Sequence, residues 1–333
     1  MVRQFQPTTA SLNQNTMYNS TPGERGRGQG RGRGRGRGRG LGQGGAEFEA
    51  IAKERAELRV ISHETKALLP GILASSPHRH LKDGFLYRHP IPPRLDQKYS
   101  PKYKSTKIQV LDSDTFDAGI RLSNNDKNDE NSGTVAVLNM ASDMAAGGSW
   151  LGGARAQEEA LCRRSTLIST LDRSYYPTPA DAVIYSPSVM IFRHSLKDGH
   201  GLMDLSKSDT LPIVSVISMA APRRPEVMKG ADSLMKFANP NDRNRAKEKM
   251  RTILRLAAWK RHRKIVLGAL GCGAFRNPPE EVAECWAEVF AEPEFGGGWW
   301  ESVAFAVIDE TGLGTAGNGN VGIFYRRLDG IEV

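Results

Sequence analysis

Cysteine is scarce in this 333-residue chain: Cys162, Cys272 and Cys285 form no CxxC pair and leave one over. That pattern excludes a disulfide framework and suits a reducing compartment. The seven histidines are scattered, and the one close pair, His78 and His80, has no cysteine or carboxylate set beside it at ligand spacing, so no metal site and no cofactor are expected. The start lacks the apolar stretch of a secretory signal and no apolar run approaches membrane-spanning length. A soluble, intracellular protein, nuclear or cytoplasmic, is expected. Charge of one sign is also missing from most of the chain. Eight arginines against Glu24 within residues 1–45 account for +7 of the formal +9, so residues 46–333 are close to neutral and make no general case for nucleic-acid binding.

What is present begins with that tail. Residues 1–45 are rich in Gln, Asn, Ser, Thr and Gly, and residues 25–40 are an almost pure Arg-Gly alternation. Such a segment has nothing to bury and is expected to be disordered, with weak, salt-sensitive RNA or polyanion binding as its role. From residue 47 to about 69 the pattern turns helical, with Ile51, Ala52, Ala56, Leu58 and Ile61 among the apolar positions and Pro70 and Gly71 as the stop. Residues 75–103 read as irregular wrapping. Strands are then expected at 108–111, 135–138, 183–185, 189–192, 213–217, 265–270, 303–308 and 321–325, and helices at 115–122, 156–171, 225–237, 242–262 and 278–290. This alternation predicts an α/β fold with a mostly parallel or mixed central sheet and a ligand site at the strands' carboxyl ends.

Two glycine loops fall at such ends. The first lies in the stretch 135–171, where a β-branched run passes through Gly147 and Gly148 into a helical pattern opened by Gln157, Glu158 and Glu159. Successive helical side chains diverge by about 100°, so the two acids are not expected to aim into one pocket from one face; one acts and the other supports. The plainer alternative is that both complement the helix dipole. The second loop, 265–279, reads IVLGALGCGAFRNPP and places Gly271, Cys272 and Gly273 before a helix start at Asn277-Pro278-Pro279-Glu280. Backbone amides freed there suit a diphosphate. No Gly-Lys-Ser/Thr ending is present and Arg276 stands where a dinucleotide fingerprint has its third glycine, so both of those phosphate motifs are excluded. Phe275 at the tip packs on a sugar or base, or anchors the loop in the core.

LNMAS at 138–142, GGSWLGGARAQEEALCRRSTL at 147–167, YSPSVMIFR at 185–193 and GALGCGAFRNPP at 268–279 together resemble the macrodomain-like poly(ADP-ribose) glycohydrolases of the microbial type. The resemblance spans roughly residues 55–328. It implies a three-layer α/β/α macrodomain-like domain over residues 46–333, following the tail of residues 1–45. By matching position it implies Glu159 as catalytic acid and Glu158 as its positioning neighbour, with Gln157 beside them. Gly147 and Gly148 would close over the diphosphate and scissile ribose, and Asn139, Ser142 and Asp143 would lie near that ribose. Gly271, Cys272, Gly273, Ala274 and Phe275 would line the diphosphate and distal ribose, with Phe324, on the last strand, a guess for the adenine. The family's loop has Pro and three glycines where this chain has Ala146, Gly147, Gly148 and Ser149. A Cβ at Ser149 and the charge of Asp143 both point toward lowered or redirected activity.

Two adjacent carboxylates cannot straddle a sugar as the two acids of ordinary glycosidases do. The resemblance implies hydrolysis of the ribose–ribose bond of poly(ADP-ribose), and the adjacency makes a mechanism with one acid the expected one. Glu159 protonates the leaving 2′-oxygen and then, as a base, activates water, with the oxocarbenium ion stabilised by the nearby diphosphate. The rival readings are an ADP-ribose reader without catalysis, a hydrolase of single ADP-ribose units on protein or nucleic acid, and a scaffold for an RNA-binding tail.

Overall fold

The computed structural model describes residues 42–78, 80–124, 135–309 and 311–333. The expected tail therefore lies almost wholly outside the described residues, and the fold is that of the compact unit Ala46–Val333 with the helical turn leading into it.

A seven-stranded mixed sheet runs through the middle. It is built from β1 (Phe85–Tyr87), β2 (Gln109–Asp112), β3 (Ala136–Met140), β4 (Val183–Met190), β5 (Ile213–Met219), β8 (Lys264–Leu267) and β9 (Ser302–Val307), in the order β1-β4-β5-β3-β8-β9-β2. β5, β3, β8, β9 and β2 are parallel, whereas β4 pairs antiparallel with both β5 and β1. Side chains alternate across the sheet, so Ala136 and Leu138 enter one core and Val135 and Val137 the other. The first core is closed by α4 (Pro240–Trp259), α5 (Pro279–Phe290) and α6 (Asn320–Leu328), the second by α2 (Thr115–Asn124) and α3 (Gln157–Arg164). These are the three layers expected.

Several local expectations fail, each for a physical reason. α1 spans Gly42–Ser75 and passes through Pro70. The backbone bond that proline removes would have run to Lys66, and both residues are exposed, so the freed carbonyl is not shut away from solvent. Beyond it Leu69 and Ile72 bury against Met190 and Phe192, which carries the helix onward. Its buried stripe is not the apolar set read from the sequence: Ile51 is exposed, while Ser62 and Thr65 are fully buried beside Leu58.

Residues 225–237 are not a helix but a hairpin of β6 (Val227–Lys229) and β7 (Met235–Phe237), turned through Gly230, Asp232 and a left-handed Ser233. The supposed last strand at 321–325 is α6, in which Val321, Phe324 and Leu328 are the buried positions at helical spacing. The two runs at 183–185 and 189–192 are one strand, β4, interrupted at Pro187 by a shift of register between Ser186 and Val189. α3 stops at Arg164 rather than 171, because Ser165 turns extended and bridges to Ile191. Residues 75–103 wrap the domain as expected but also contribute the edge strand β1.

Candidate functional site

The carboxyl ends of β3, β5 and β8 open into a cleft of about 280 Å³ lined by residues 140–142, Ala221, Arg223, Ala269, Gly271 and 273–275, together with Gly148, Ser149 and the first turn of α3. Both glycine loops therefore face one cavity.

α3 carries the acids, and its first turn is fixed by Gln157 rather than by an N-cap, since Ala156 offers no capping side chain. The Gln157 side-chain amide donates to the Leu138 carbonyl (2.7 Å) and to Thr115 Oγ1 (3.0 Å), and its carbonyl oxygen accepts from the Met140 amide (2.8 Å). At its far end Arg164 is buried and pairs with Asp114 and Asp117 of the α2 start. Arg163 donates to the Ala154 carbonyl (2.7 Å), tying the helix to the chain that enters it. α1 closes the outside. Ser62 Oγ donates to the Trp150 carbonyl (2.6 Å), Thr65 Oγ1 to the Arg163 carbonyl (2.8 Å) and Arg55 Nε to the Gly152 carbonyl (3.0 Å).

Glu158 and Glu159 are both buried and both line the cleft, which corrects the expectation that they part to different faces. Their Cβ atoms diverge, but the long side chains bend back to one point. A Cβ on Gly148 would sit 2.5 Å from Glu159 Oε1 and 3.2 Å from Glu158 Oε2. Gly148 is at φ +55, so this position needs glycine for its backbone and for the approach of both carboxylates. The two acids are nevertheless held differently. Glu158 accepts from the Ser142 amide (2.7 Å) and from Asn139 Nδ2 (3.3 Å), and Asn139 also donates to Ser218 Oγ (3.0 Å). Burial outweighs these donors and pushes the Glu158 carboxyl up to about 8, so it is protonated at neutral pH. Glu159 accepts from the Ser149 amide through Oε1 (3.0 Å), while its Oε2 has no protein partner.

Ser149 thus adopts a role that glycine is not needed for. It sits at φ −103, open to any residue, and its amide holds Glu159. Gly147 lies behind the cleft against Cys162, Ile168 and Trp150 at φ +67 and does not itself line it.

The second loop is shaped by Asn277, which is buried and is not the N-cap of α5. It donates to the carbonyls of Pro222 (2.8 Å), Gly271 (3.2 Å) and Phe275 (3.3 Å). Gly271 is at φ +80 and packs against Ala221 and Asn277. Among the described residues, the amides of Gly273, Ala274 and Phe275 donate to no protein acceptor, which leaves three successive N–H groups for an anion. Gly273, Ala274 and Phe275 line the cleft; Cys272 does not, and burial raises its thiol well above the usual range.

Arg223 was not singled out by the sequence. It follows β5, is the one cation lining the cleft among the described residues, stacks over Phe275 (4.5 Å to the ring centroid) and pairs with Asp143. Burial works to raise the Asp143 carboxyl, but the hydrogen bonds from Arg223 prevail and hold it below the usual carboxylate range. Asp143 is therefore a neutralised pair, not a bare negative charge facing the substrate. A basic residue in the loop after β5 was visible in the sequence as Arg223-Arg224, but nothing there linked it to residue 143. Phe324 is on α6, fully buried against Phe305 (6.0 Å between ring centroids), and does not line the cleft. Among the described residues no three His, Cys, Asp or Glu side chains cluster as metal ligands would, and no helix is long and apolar enough to cross a membrane.

Residues 73–194 match the family described as microbial-type PARG, catalytic domain. Among solved structures, the chain is similar to the poly(ADP-ribose) glycohydrolase of Thermomonospora curvata bound to the inhibitor ADP-HPD, with 28% identity over 81% of this chain and 98% of that one and a TM-score of 0.62. It is also similar to the poly(ADP-ribose) glycohydrolase of Deinococcus radiodurans in complex with ADP-ribose, with 30% identity over 78% of this chain and 97% of that one and a TM-score of 0.59. No curated protein sequence matches.

Proposed function

This chain belongs to the microbial-type poly(ADP-ribose) glycohydrolases, and from that membership we infer that it hydrolyses the ribose–ribose O-glycosidic bond of poly(ADP-ribose) and releases ADP-ribose. We propose Glu159 as the acid and base of that reaction. The observation that carries the assignment is that Glu159, whose buried Oε2 has no protein partner among the described residues, lines a cavity shared with the three free amides of residues 273–275.

In this reading the diphosphate lies on those amides and the scissile ribose against residues 140–142, 148 and 149, with Asn139 and Gly147 supporting that wall from behind. The Glu159 proton passes to the departing 2′-oxygen, the C–O bond breaks, and positive charge spreads over the ribose ring. Glu159, now a carboxylate, takes a proton from the attacking water as the new C–O bond forms, and so returns to its starting state. The Ser149 amide, donating to Oε1, holds the Glu159 side chain in place. A protonated Glu158 adds no second negative charge beside it. Substituting Glu159→Gln is expected to lower kcat on poly(ADP-ribose) by about 10²–10⁴ while ADP-ribose still binds. Normal turnover in that variant, with binding intact, would show that another group does the chemistry. The non-catalytic reader loses its motive, since Ser149 supports Glu159 rather than crowding the site.

We also propose the division into an Arg-Gly tail over residues 1–45, acting as a weak RNA or polyanion tether, and a hydrolase domain over 46–333. An intracellular site, nuclear or cytoplasmic, suits its three free cysteines.

A further inference from the structure

A cavity of about 680 Å³ lies where β8 begins rather than ends, and it shares no lining residue with the cleft. One wall is the segment 93–103 and the other the last turn of α4 with residues 261 and 262. Its walls are aromatic and basic together. Tyr99 and Trp259 are exposed to 73% and 42%, large values for such side chains. Residues 94–107 and 259–264 contain nine lysines and arginines against the single acid Asp96, which Lys98 neutralises. Lys102, Lys104 and Arg261 are exposed and carry no ion pair among the described residues. The near-neutral total charge of the folded part hid this local excess.

The first wall is also anchored in place. The Leu95 amide donates to Glu294 Oε1 (3.0 Å), Gln97 Nε2 to the carbonyls of Pro293 (2.8 Å) and Gly296 (2.7 Å), and the Tyr103 amide to the Gly298 carbonyl (3.0 Å).

We propose that this groove binds single-stranded nucleic acid, with bases stacked on Tyr99 and Trp259 and phosphates facing Arg261 and Lys102. Tyr99 and Trp259, each with one lysine over its ring (Lys98 at 4.8 Å and Lys260 at 4.3 Å from the centroids), stand beside the lining Arg261 and the neighbouring exposed Lys102, and this set matches a ligand that alternates planar rings with negative charge. An apolar peptide would leave the cations unanswered, and an acidic one would leave the rings uncovered. The groove's role does not depend on the hydrolase reading of the cleft.

The test uses the full chain and the fluorescence anisotropy of a labelled single strand of about 12 nucleotides, with inorganic polyphosphate as a base-free probe. The Arg-Gly segment engages both probes through phosphate, so polyphosphate reports that background. Tyr99→Ala combined with Trp259→Ala is expected to weaken the oligonucleotide by roughly tenfold or more and leave polyphosphate affinity unchanged. Arg261→Glu, on an exposed side chain, is expected to reduce the slope of log affinity against log salt by about one. Both variants should hydrolyse short poly(ADP-ribose) at the wild-type rate, which checks their folding. Equal oligonucleotide affinity in wild type and double variant would overturn the proposal, as would an equal loss toward both probes. Tighter binding of poly(ADP-ribose) than of the oligonucleotide, lost in the double variant, would instead make the groove a polymer exosite and overturn its assignment to nucleic acid.

Discussion

At the scale of single residues, Arg223 sets the charge of the cleft mouth. Its partners Asp143 and Phe275 come from two other loops, so one guanidinium joins three chain segments. Replacing it with alanine removes a cation from the cleft lining and leaves the Asp143 charge unpaired near an anionic substrate. Arg223→Ala is expected to raise KM for poly(ADP-ribose) about tenfold, the size of a charged hydrogen bond, with kcat changed far less. Steady-state kinetics at two salt concentrations would check both parts. Glu158 gives a pH prediction. Its folded value, about 8, lies above the ordinary 4.5, so the native state holds a proton that the unfolded chain has released in between. Its contribution is fully present below about 4.5 and lost as pH rises toward 8. Thermal melts should therefore show a declining Tm across that window, and Glu158→Gln should flatten the decline.

At the scale of elements, the glycine loop before α3 differs in tolerance from the loop after β8. Gly148→Ala drives a methyl group into the Glu159 carboxylate at a left-handed backbone position and is expected to abolish turnover. Gly273→Ala meets nothing within 4 Å and is expected to keep kcat within a few-fold, since what that loop offers is its amide. Parallel assays of the two variants would decide. How far the elements could be read beforehand is a matter of the same local physics. Strands β3, β5, β8 and β9 announced themselves as buried β-branched runs, and QEE after a glycine loop marked the acids. The hairpin at 227–237 did not, because its methionines, lysines and leucine suit a helix as well as an edge strand, and the Gly-Asp-Ser turn was outweighed. α6 was misread since five consecutive apolar-compatible residues fit either period, and Leu328, which breaks the tie, lies beyond that run. In α1 the buried hydroxyls of Ser62 and Thr65 hid its true face, because their partners are carbonyls almost a hundred residues away in sequence.

At the scale of the whole molecule, stability and chemistry rest on opposite faces of the sheet. Trp286, Phe290 and Phe324 crowd around Phe305 on the α5–α6 side, while the acids belong to the α3 side. Phe305→Ala is expected to cost roughly 3–5 kcal/mol of folding free energy, read from denaturant titration, while the folded fraction keeps the wild-type affinity for ADP-ribose. Such separation could be argued from strand alternation in the sequence, but the meeting of Asp143, Arg223 and Phe275 could not, since it depends on three strand ends lying side by side. The brace formed by α1 has a practical corollary for anyone trimming the protein. A fragment cut to begin at Leu81 would retain every strand and both carboxylates, and a boundary drawn from the sheet alone would choose it. It would lose the donors from Arg55, Ser62 and Thr65 to the carbonyls of Gly152, Trp150 and Arg163, so the turn that presents Gly148 and Ser149 to the acid would be slack, and the trimmed protein should purify with much reduced turnover.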